Sequence, residues 1–520
     1  MTLSTLDMSV FVFYVIALIS IAYYVSREKS GHEKNANDYF LAGNNLPWWA
    51  IGASLIAANI SAEQIIGMSG SGYKIGLAIA SYEWMAAITL MIVGKYFLPI
   101  FLERKIYTMP QFLEQRFDRR VRTIMAIFWL GVYVFVNLTA ILWLGALALN
   151  TITGIDMLYG MIFLGVFSLA YSLYGGLKAV AFTDIIQVVL LVFGGLFLSY
   201  MALDLIGQGQ GLTQGFNVLM AQAPEKFDMI LSPESEHYAD LPGISVLVGG
   251  MWIMNLSYWG FNQYIIQRTL AAKNLREGQK GIAFAAFLKL LMPIIVVLPG
   301  IAAVLLLPDL GKPDQAYPEL MNLMPSGLKG LVFAALIAAI VSSLASMTNS
   351  VATIFTMDLY KNDKKQRSEE HYVTVGRIVS FTALIIAMLV AKPLLGQFDQ
   401  AFQYIQEFTG FFTPGIVVLF LLGMFWKKTT ANGGLAAALG SVILSFTFKI
   451  LWPELPFMDR VGFVFILCMM LAIVVSNVEN KDSHKNAIDL KGISFATSTS
   501  FSLSTVAVCF ILVGFYTTWW

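Results

Sequence analysis

Four polar side chains interrupt an otherwise apolar stretch, SLIAANISAEQIIG from Ser54 to Gly67: Asn59, Ser61, Glu63 and Gln64. A second interruption, GGMWIMNLSYWGFNQYIIQRTL from Gly249 to Leu270, carries Asn255, Ser257, Gly260, Asn262 and Gln263. Two ionisable groups stand in apolar runs elsewhere, Glu83 in SYEWMAAITL and Lys289 in AAFLKLLMPII. A carboxylate and an ammonium neutralise one another in one bundle. Such a pair is either structural or a clamp that accepts through Glu83 and donates through Lys289. The carboxamides Asn59, Gln64, Asn255, Asn262, Gln403 and Gln406 each offer donors and acceptors. That inventory suits a neutral polyol better than an amino acid or a polyanion. Tyr258 and Trp259 offer flat faces for an apolar ring surface, or simply pack together.

A third group suits a small hard cation. In VFAALIAAIVSSLASMTNSVATIF, Ser342 and Ser343 are adjacent and Ala339 lies one turn before. Two hydroxyls, the Ala339 carbonyl and carbonyls freed at a helix break near Ala57 and Ile60 supply about five oxygens, the set a sodium ion takes up. Membrane serines also bond back to their own helix, so the serine pair alone is a weak signal. Asp184, in FTDIIQ, is a further carboxylate placed to receive a cation leaving such a site.

These groups need elements to hold them. Of 520 residues, 58% are hydrophobic and 12% charged, about half the charged share of a soluble chain. Apolar runs of about 20 residues recur from end to end, each long enough to cross a bilayer as a helix. The chain reads as an all-α polytopic membrane protein of about fourteen transmembrane helices. They fall at 7–26, 46–67, 77–103, 121–150, 157–174, 178–205, 244–264, 279–306, 327–359, 373–396, 399–425, 433–452, 456–478 and 499–518. The first run follows Asp7 with no Lys or Arg before it, which favours an uncleaved span over a leader. Basic residues concentrate in alternate connections: Arg27, Lys29 and Lys34; Arg104 to Arg122; Arg268 to Lys280; Lys361 to Arg367; Lys427 and Lys428; Lys481 to Lys491. These connections read as cytoplasmic and both termini as extracellular or periplasmic, in an inner cell membrane. A net charge of +1 with no basic block argues against nucleic acid as a partner. Cys468 and Cys509 lack metal-ligand spacing, and His32, His237, His371 and His484 all fall in polar connections. No nucleophile–base pair or phosphate loop stands at depth, so an enzyme is disfavoured.

The interrupted spans stand in matching places. Five spans over 46–205 precede a polar connection, 206–243, in which a short surface helix is allowed. Five more, over 244–425, begin with the second interrupted span. Region 1–45 holds one extra helix and its loop, and 426–520 holds three more helices. Two sets of five of opposite topology, each led by a broken helix, are the pattern of an inverted-repeat secondary transporter. Unwound backbone in lipid costs several kcal/mol per unpaired group and persists where it lines a cavity. Two helices whose polar faces merely pack together are the plainer alternative. A channel or membrane sensor is another, although a channel has no need of a solute-sized set of hydrogen-bonding groups.

The stretches DYFLAGNNLPWWAIGASLIAANISAEQIIGMSGSGY, YGGLKAVAFTDIIQ, YWGFNQYIIQRTLAAK, FAALIAAIVSSLASMTNS and FQYIQEFTG resemble the solute:sodium symporter family, in particular its sugar-carrying branch. The resemblance implies a LeuT-type inverted five-plus-five core with one extra helix before it and three after. It implies sodium-coupled uptake of a neutral hexose of galactose or glucose type by alternating access, with inositol or a sugar acid as the alternative cargo. It implies substrate contacts from Gln64, Glu83, Asn255, Lys289 and Gln406, with Asn59 alongside. Tyr258 would form the inner gate, and Met68 and Phe402 the outer gate. Sodium would sit on the Ala57, Ile60 and Ala339 carbonyls and the Ser342 and Ser343 hydroxyls, with Asp184 on its exit path. One position departs: the sugar branch carries a serine where this chain has Ala86, removing a hydrogen bond worth about 0.5–1.5 kcal/mol.

Overall fold

The computed structural model describes residues 3–26, 42–361, 367–396, 400–479 and 486–520, with the side chains at 22, 25, 26, 42 and 171–180 left aside. Arg27, Lys29, His32, Lys34, Lys364, Lys365, Lys481, His484 and Lys485 lie outside the described residues. The rest is helical: α1 Thr5–Ser26, α2 Trp48–Asn59, α3 Glu63–Lys74, α4 Leu77–Glu103, α5 Arg119–Thr153, α6 Met157–Ile206, α7 Gly250–Leu256, α8 Gln263–Leu270, α9 Leu275–Leu306, α10 Leu328–Tyr360, α11 Glu369–Leu395, α12 Ala401–Gly410, α13 Thr413–Phe425, α14 Ala431–Leu451, α15 Phe457–Glu479 and α16 Thr499–Thr518. Among the described residues nine helices are long and apolar enough to cross a membrane, or eleven when each sharply bent pair counts once. The polar connection at 206–243 does hold a short helix, Leu212–Gln222.

Burial separates axis from periphery. The most apolar stretch of α10 is 94% buried, and that of α16 only 11%. Leu503, Val506, Phe510 and Val513 of α16 are exposed together. In water such a face would be an aggregation hazard; in a bilayer it faces chains as apolar as itself. At the N-terminus of α10, the buried Asp7 carboxylate accepts from the backbone N–H of Gly327 (2.7 Å) and Gly330 (2.9 Å), so α1 supplies the cap of the central helix.

Helix is assigned throughout α6, whereas two spans are expected there from sequence. A straight 50-residue helix would run about 75 Å, more than twice the apolar depth of a bilayer. The contacts forbid a straight rod. Leu164 and Ile340 meet at Gly145, while Asp184 accepts from Ser342, two residues further along α10. Leu164 and Asp184 would stand about 30 Å apart on a straight helix, farther than these contacts allow, so α6 is not straight.

Three breaks matter for function. Between α2 and α3 the axis bends by 60°. Ile60 leaves the helix at ψ 78, and Ser61 N–H turns to the Asn59 carbonyl (2.8 Å) instead of the Ala57 carbonyl. Between α7 and α8 the chain passes through a π-turn, Ser257–Phe261, and leaves the helix at Asn262, ψ 120. The sequence places spans at 46–67 and 244–264, whereas the helices run on to Lys74 and Leu270. The third break falls inside the stretch 399–425 that reads as one span: α12 and α13 meet at 48°. Pro414 sits in the first turn of α13, where its missing N–H costs nothing and its ring blocks continuation of the helix before it.

Helix α9 kinks at Val296, three residues after Pro293, and follows the broken α2–α3 pair along its whole length. Two glycines permit the approach. A Cβ on Gly281 would lie 2.9 Å from the Trp48 carbonyl oxygen, and one on Gly300 would lie 2.1 Å from that of Ser69.

Candidate substrate and ion site

The two breaks face each other across the bundle, and the polar side chains between them form one connected set. Glu83, in the first turns of α4 after Ser81, accepts from Gln64 Nε2 (3.1 Å) and from Lys289 Nζ. Lys289 also donates to Asn59 Oδ1 and lies 4.9 Å from the Trp259 ring centroid. Asn59 Nδ2 donates to Tyr258 Oη (3.0 Å), and the Tyr258 and Tyr264 hydroxyls bond each other. The Lys289 and Glu83 side chains are 0% and 2% exposed. Charges at that depth persist because they are paired and hydrogen-bonded.

A hollow of about 40 Å³ is lined by Asn59, Gln64, Glu83, Asn255, Tyr258 and Gln406, with Tyr82, Met254, Trp259 and Phe402 completing the wall, while Lys289 is bonded to Glu83 and Asn59 from outside the lining. Ligand pockets usually measure about 300–1,000 Å³. The polar groups are thus closed on one another, and a ring must part them to enter. Gln64 Oε1 is already without a partner. Asn255 donates back to its own helix at the Met251 carbonyl. Phe402 closes one side, edge-on to Tyr82 with centroids 5.2 Å apart. Met68 is fully buried but does not reach the hollow, and neither do Gln403 and Asn262. Ala86 is buried on α4, outside the lining.

Beside the first break, Ser343 Oγ stands 3.4 Å from the Ala57 carbonyl oxygen and 3.3 Å from that of Ala58, both at the end of α2. Ser342 donates to Asp184 Oδ1, and Ser54 donates to Asp184 Oδ2 (2.6 Å). A hydroxyl whose proton is committed to a carboxylate keeps its lone pairs for a cation. Ala339 and Ile60 are buried close by in sequence. The donor set is hard oxygen, the kind an alkali ion takes. Among the described residues no three His, Cys, Asp or Glu gather as a transition-metal site would require.

The sodium:solute symporter family profile matches residues 39–440. A sodium/glucose cotransporter of Vibrio parahaemolyticus is 52% identical, covering 100% of this chain and 99% of that protein. The chain belongs to the sodium:solute symporter family. A mouse sodium/myo-inositol cotransporter 2 is 33% identical, covering 85% of the symporter described here and 70% of its own length. In fold, the symporter is similar to a sodium-coupled sialic acid symporter solved in a substrate-bound, outward-open state, with a TM-score of 0.79, 24% identity, and coverage of 91% and 98%. A nucleobase–cation symport transporter in a closed conformation follows at a TM-score of 0.53 and 14% identity. The symporter is a multi-pass membrane transporter, not an enzyme, and sodium is its co-transported ion.

Two features of the symporter escape a reading of its sequence. Arg268, counted above among the cytoplasmic charges, is fully buried. It donates to the Ser54 carbonyl (3.1 Å) and hydroxyl (3.0 Å) and to Ser346, tying α8 to α2 and α10 beside Asp184. Arg268 and Lys289 are both cations at depth. Only the position of Arg268 four residues after Tyr264, on the same helical face, hints at this. Tyr133 and Tyr264 are the second miss. Tyr133 donates to Asn262 Oδ1 and accepts from Gln263 N–H (2.9 Å), which fixes the start of α8. Gln263 in turn grips the backbone of the preceding loop, accepting from Met109 N–H (2.8 Å) and donating to the Tyr107 carbonyl (3.1 Å).

Proposed function

We propose that this symporter couples inward sodium movement to uptake of a neutral hexose, of galactose or glucose type, by alternating access. The observation that carries the reading is the single hydrogen-bonded set Gln64–Glu83–Lys289–Asn59–Tyr258, whose members other than Lys289 line a hollow between two broken helices. Its donors and acceptors are balanced, as a ring of hydroxyls requires. The substrate groups are Gln64, Glu83, Asn255, Lys289, Gln406 and Asn59. Tyr258 gates the inner side, and Met68 and Phe402 the outer side. Sodium binds the Ala57, Ile60 and Ala339 carbonyls with the Ser342 and Ser343 hydroxyls, and leaves past Asp184.

The scaffold in this proposal is an inverted five-plus-five core over 46–205 and 244–425 within fourteen spans, with both termini outside. The bend in α6 and the broken α2–α3 and α7–α8 support it. Sodium at the α2 break ties α2 to α10 and orders Asn59, two residues from Ala57, so ion and sugar bind cooperatively. One charge crossing 100 mV supplies about 2.3 kcal/mol, or about 50-fold accumulation of a neutral solute.

Uptake into proteoliposomes tests this. Accumulation is expected with sodium and not with potassium or choline at fixed pH, and it is expected to be blocked best by unlabelled hexoses. Best competition by myo-inositol would move the cargo to the cyclic polyols of the 33% identical relatives. Uptake indifferent to sodium but driven by a pH gradient would overturn the ion assignment.

A further inference from the structure

A second hollow, of about 70 Å³, lies on the other side of Tyr258, Met254 and Gln406, which line both spaces. Its own polar wall comes from Glu63, Asn137, Tyr133 and Asn262. It lies toward the face that carries Arg116 and Arg119, since α8 and α13 run from it to that face: Gln263 grips Tyr107–Met109, and Arg116 bonds the Gly423 carbonyl near the end of α13. Glu63 is 8% exposed, and its Oε1 has no hydrogen-bond partner. Among the described residues the group facing it is the Asn137 side chain, and no Lys or Arg neutralises it. Glu83 in the first hollow, by contrast, is held by Lys289. A buried carboxylate with an idle oxygen is costly unless donors reach it at some stage.

We propose that Glu63 and Asn137 form a second polyol subsite, an inner station that takes the sugar from the first hollow once Tyr258, Met254 and Gln406 move aside. The two hollows share a chemistry: each has one carboxylate, carboxamides, a tyrosine hydroxyl and an indole, Trp259 in one and Trp129 in the other. Gln406 belongs to both, so a hydroxyl it holds can pass without release. Glu63 supplies acceptors for sugar hydroxyls at the moment those from Glu83 are lost. The station rests on the sugar-symport reading above, and its test is separable from that one.

Sodium-dependent sugar binding and single-turnover uptake are measured on full-length protein, in detergent and in proteoliposomes, for E63Q, N137A and Q64A. Q64A, in the first hollow, is expected to weaken equilibrium binding. E63Q and N137A are expected to leave that binding within about twofold and to slow turnover about tenfold, the value of one hydrogen bond to a charged group. A Thr409→Cys variant, whose side chain faces the second hollow, is expected to react more slowly with a membrane-permeant maleimide when glucose and sodium are present together, and at the unprotected rate when E63Q is added. Binding lost in E63Q as in Q64A would place Glu63 in the first site and overturn the station. Unchanged turnover in E63Q would make the pair merely structural and overturn it as well, as would loss of sodium dependence, which would mark a cation ligand. Normal binding in Q64A would sink the sugar-site reading whatever the Glu63 variants do.

Discussion

Replacing Lys289 by Met separates the two roles open to the buried ion pair. The substitution keeps most of the side-chain volume and removes the charge. It cuts the bonds to Glu83 and Asn59 and the contact 4.9 Å from Trp259. Glu83, 2% exposed, keeps one donor, Gln64. Leaving a buried charge without its partner costs about 3–5 kcal/mol, and the lost cation–π contact adds about 0.5–2. K289M is therefore expected to lower the thermal aggregation midpoint in detergent clearly. The double variant K289M/E83Q no longer holds an orphan charge and is expected to recover most of that stability. On the clamp reading it lacks a charged donor and a charged acceptor for the substrate, each worth about 1.5–3 kcal/mol, so its sodium-driven uptake is expected to fall by at least about 100-fold. The measurements are fluorescence-detected size exclusion after heating, and hexose uptake in proteoliposomes. Wild-type uptake by the double variant would refute the clamp and leave a structural pair. Undiminished stability of K289M would refute the burial argument itself.

Three further outcomes follow from the geometry. Ser343→Ala removes a hydroxyl seated against the Ala57 and Ala58 carbonyls and is expected to raise the sodium half-saturation about tenfold or more; Ser445→Ala, bonded to Phe411 in the outer bundle, is the neutral control for the same titration. Tyr258→Phe loses bonds to Asn59 and Tyr264, each worth about 0.5–1.5 kcal/mol, and sugar exchange measured by counterflow is expected to quicken several-fold; a slower exchange would deny Tyr258 a gating role. Asp7→Asn weakens the cap on α10, with an expected loss of about 1 kcal/mol in thermal stability and no change in sodium half-saturation, since the cap lies about 20 Å along α10 from Ser342.

What sequence revealed and what it hid follow a physical division. Polar residues in apolar runs are rare and costly, so Glu83, Lys289, Asn59 and Gln64 stand out on a first reading, and the structure brings them together. Breaks announced by polar clusters were visible at Ile60 and Asn262. The break at Phe411–Phe412 was not: its flanks are as apolar as any helix, and Pro414 is equally at home in an unbroken first turn. The π-turns at Glu63–Gly67 and Ser257–Phe261 leave no periodic signal, because one extra residue shifts the helical phase without changing composition. Arg268 was misplaced for a related reason. It stands in the last turn of α8, where a surface charge would, and its partners Ser54, Asp184 and Ser346 are brought to it from three other helices by packing alone.

The glycine contacts along α9 have a mechanical consequence. Gly281 rests on the Trp48 carbonyl and Gly300 on that of Ser69, so the two rods are riveted above and below their joints. Rods joined in that way bend together or not at all. The joint at Ile60, beside the proposed ion site, and the joint at Val296, beyond Lys289 on the same helix, then share one angle, and work done by a cation bound there would be delivered to the second as torque. A methyl group wedged at Gly300 would jam that linkage while touching neither passenger.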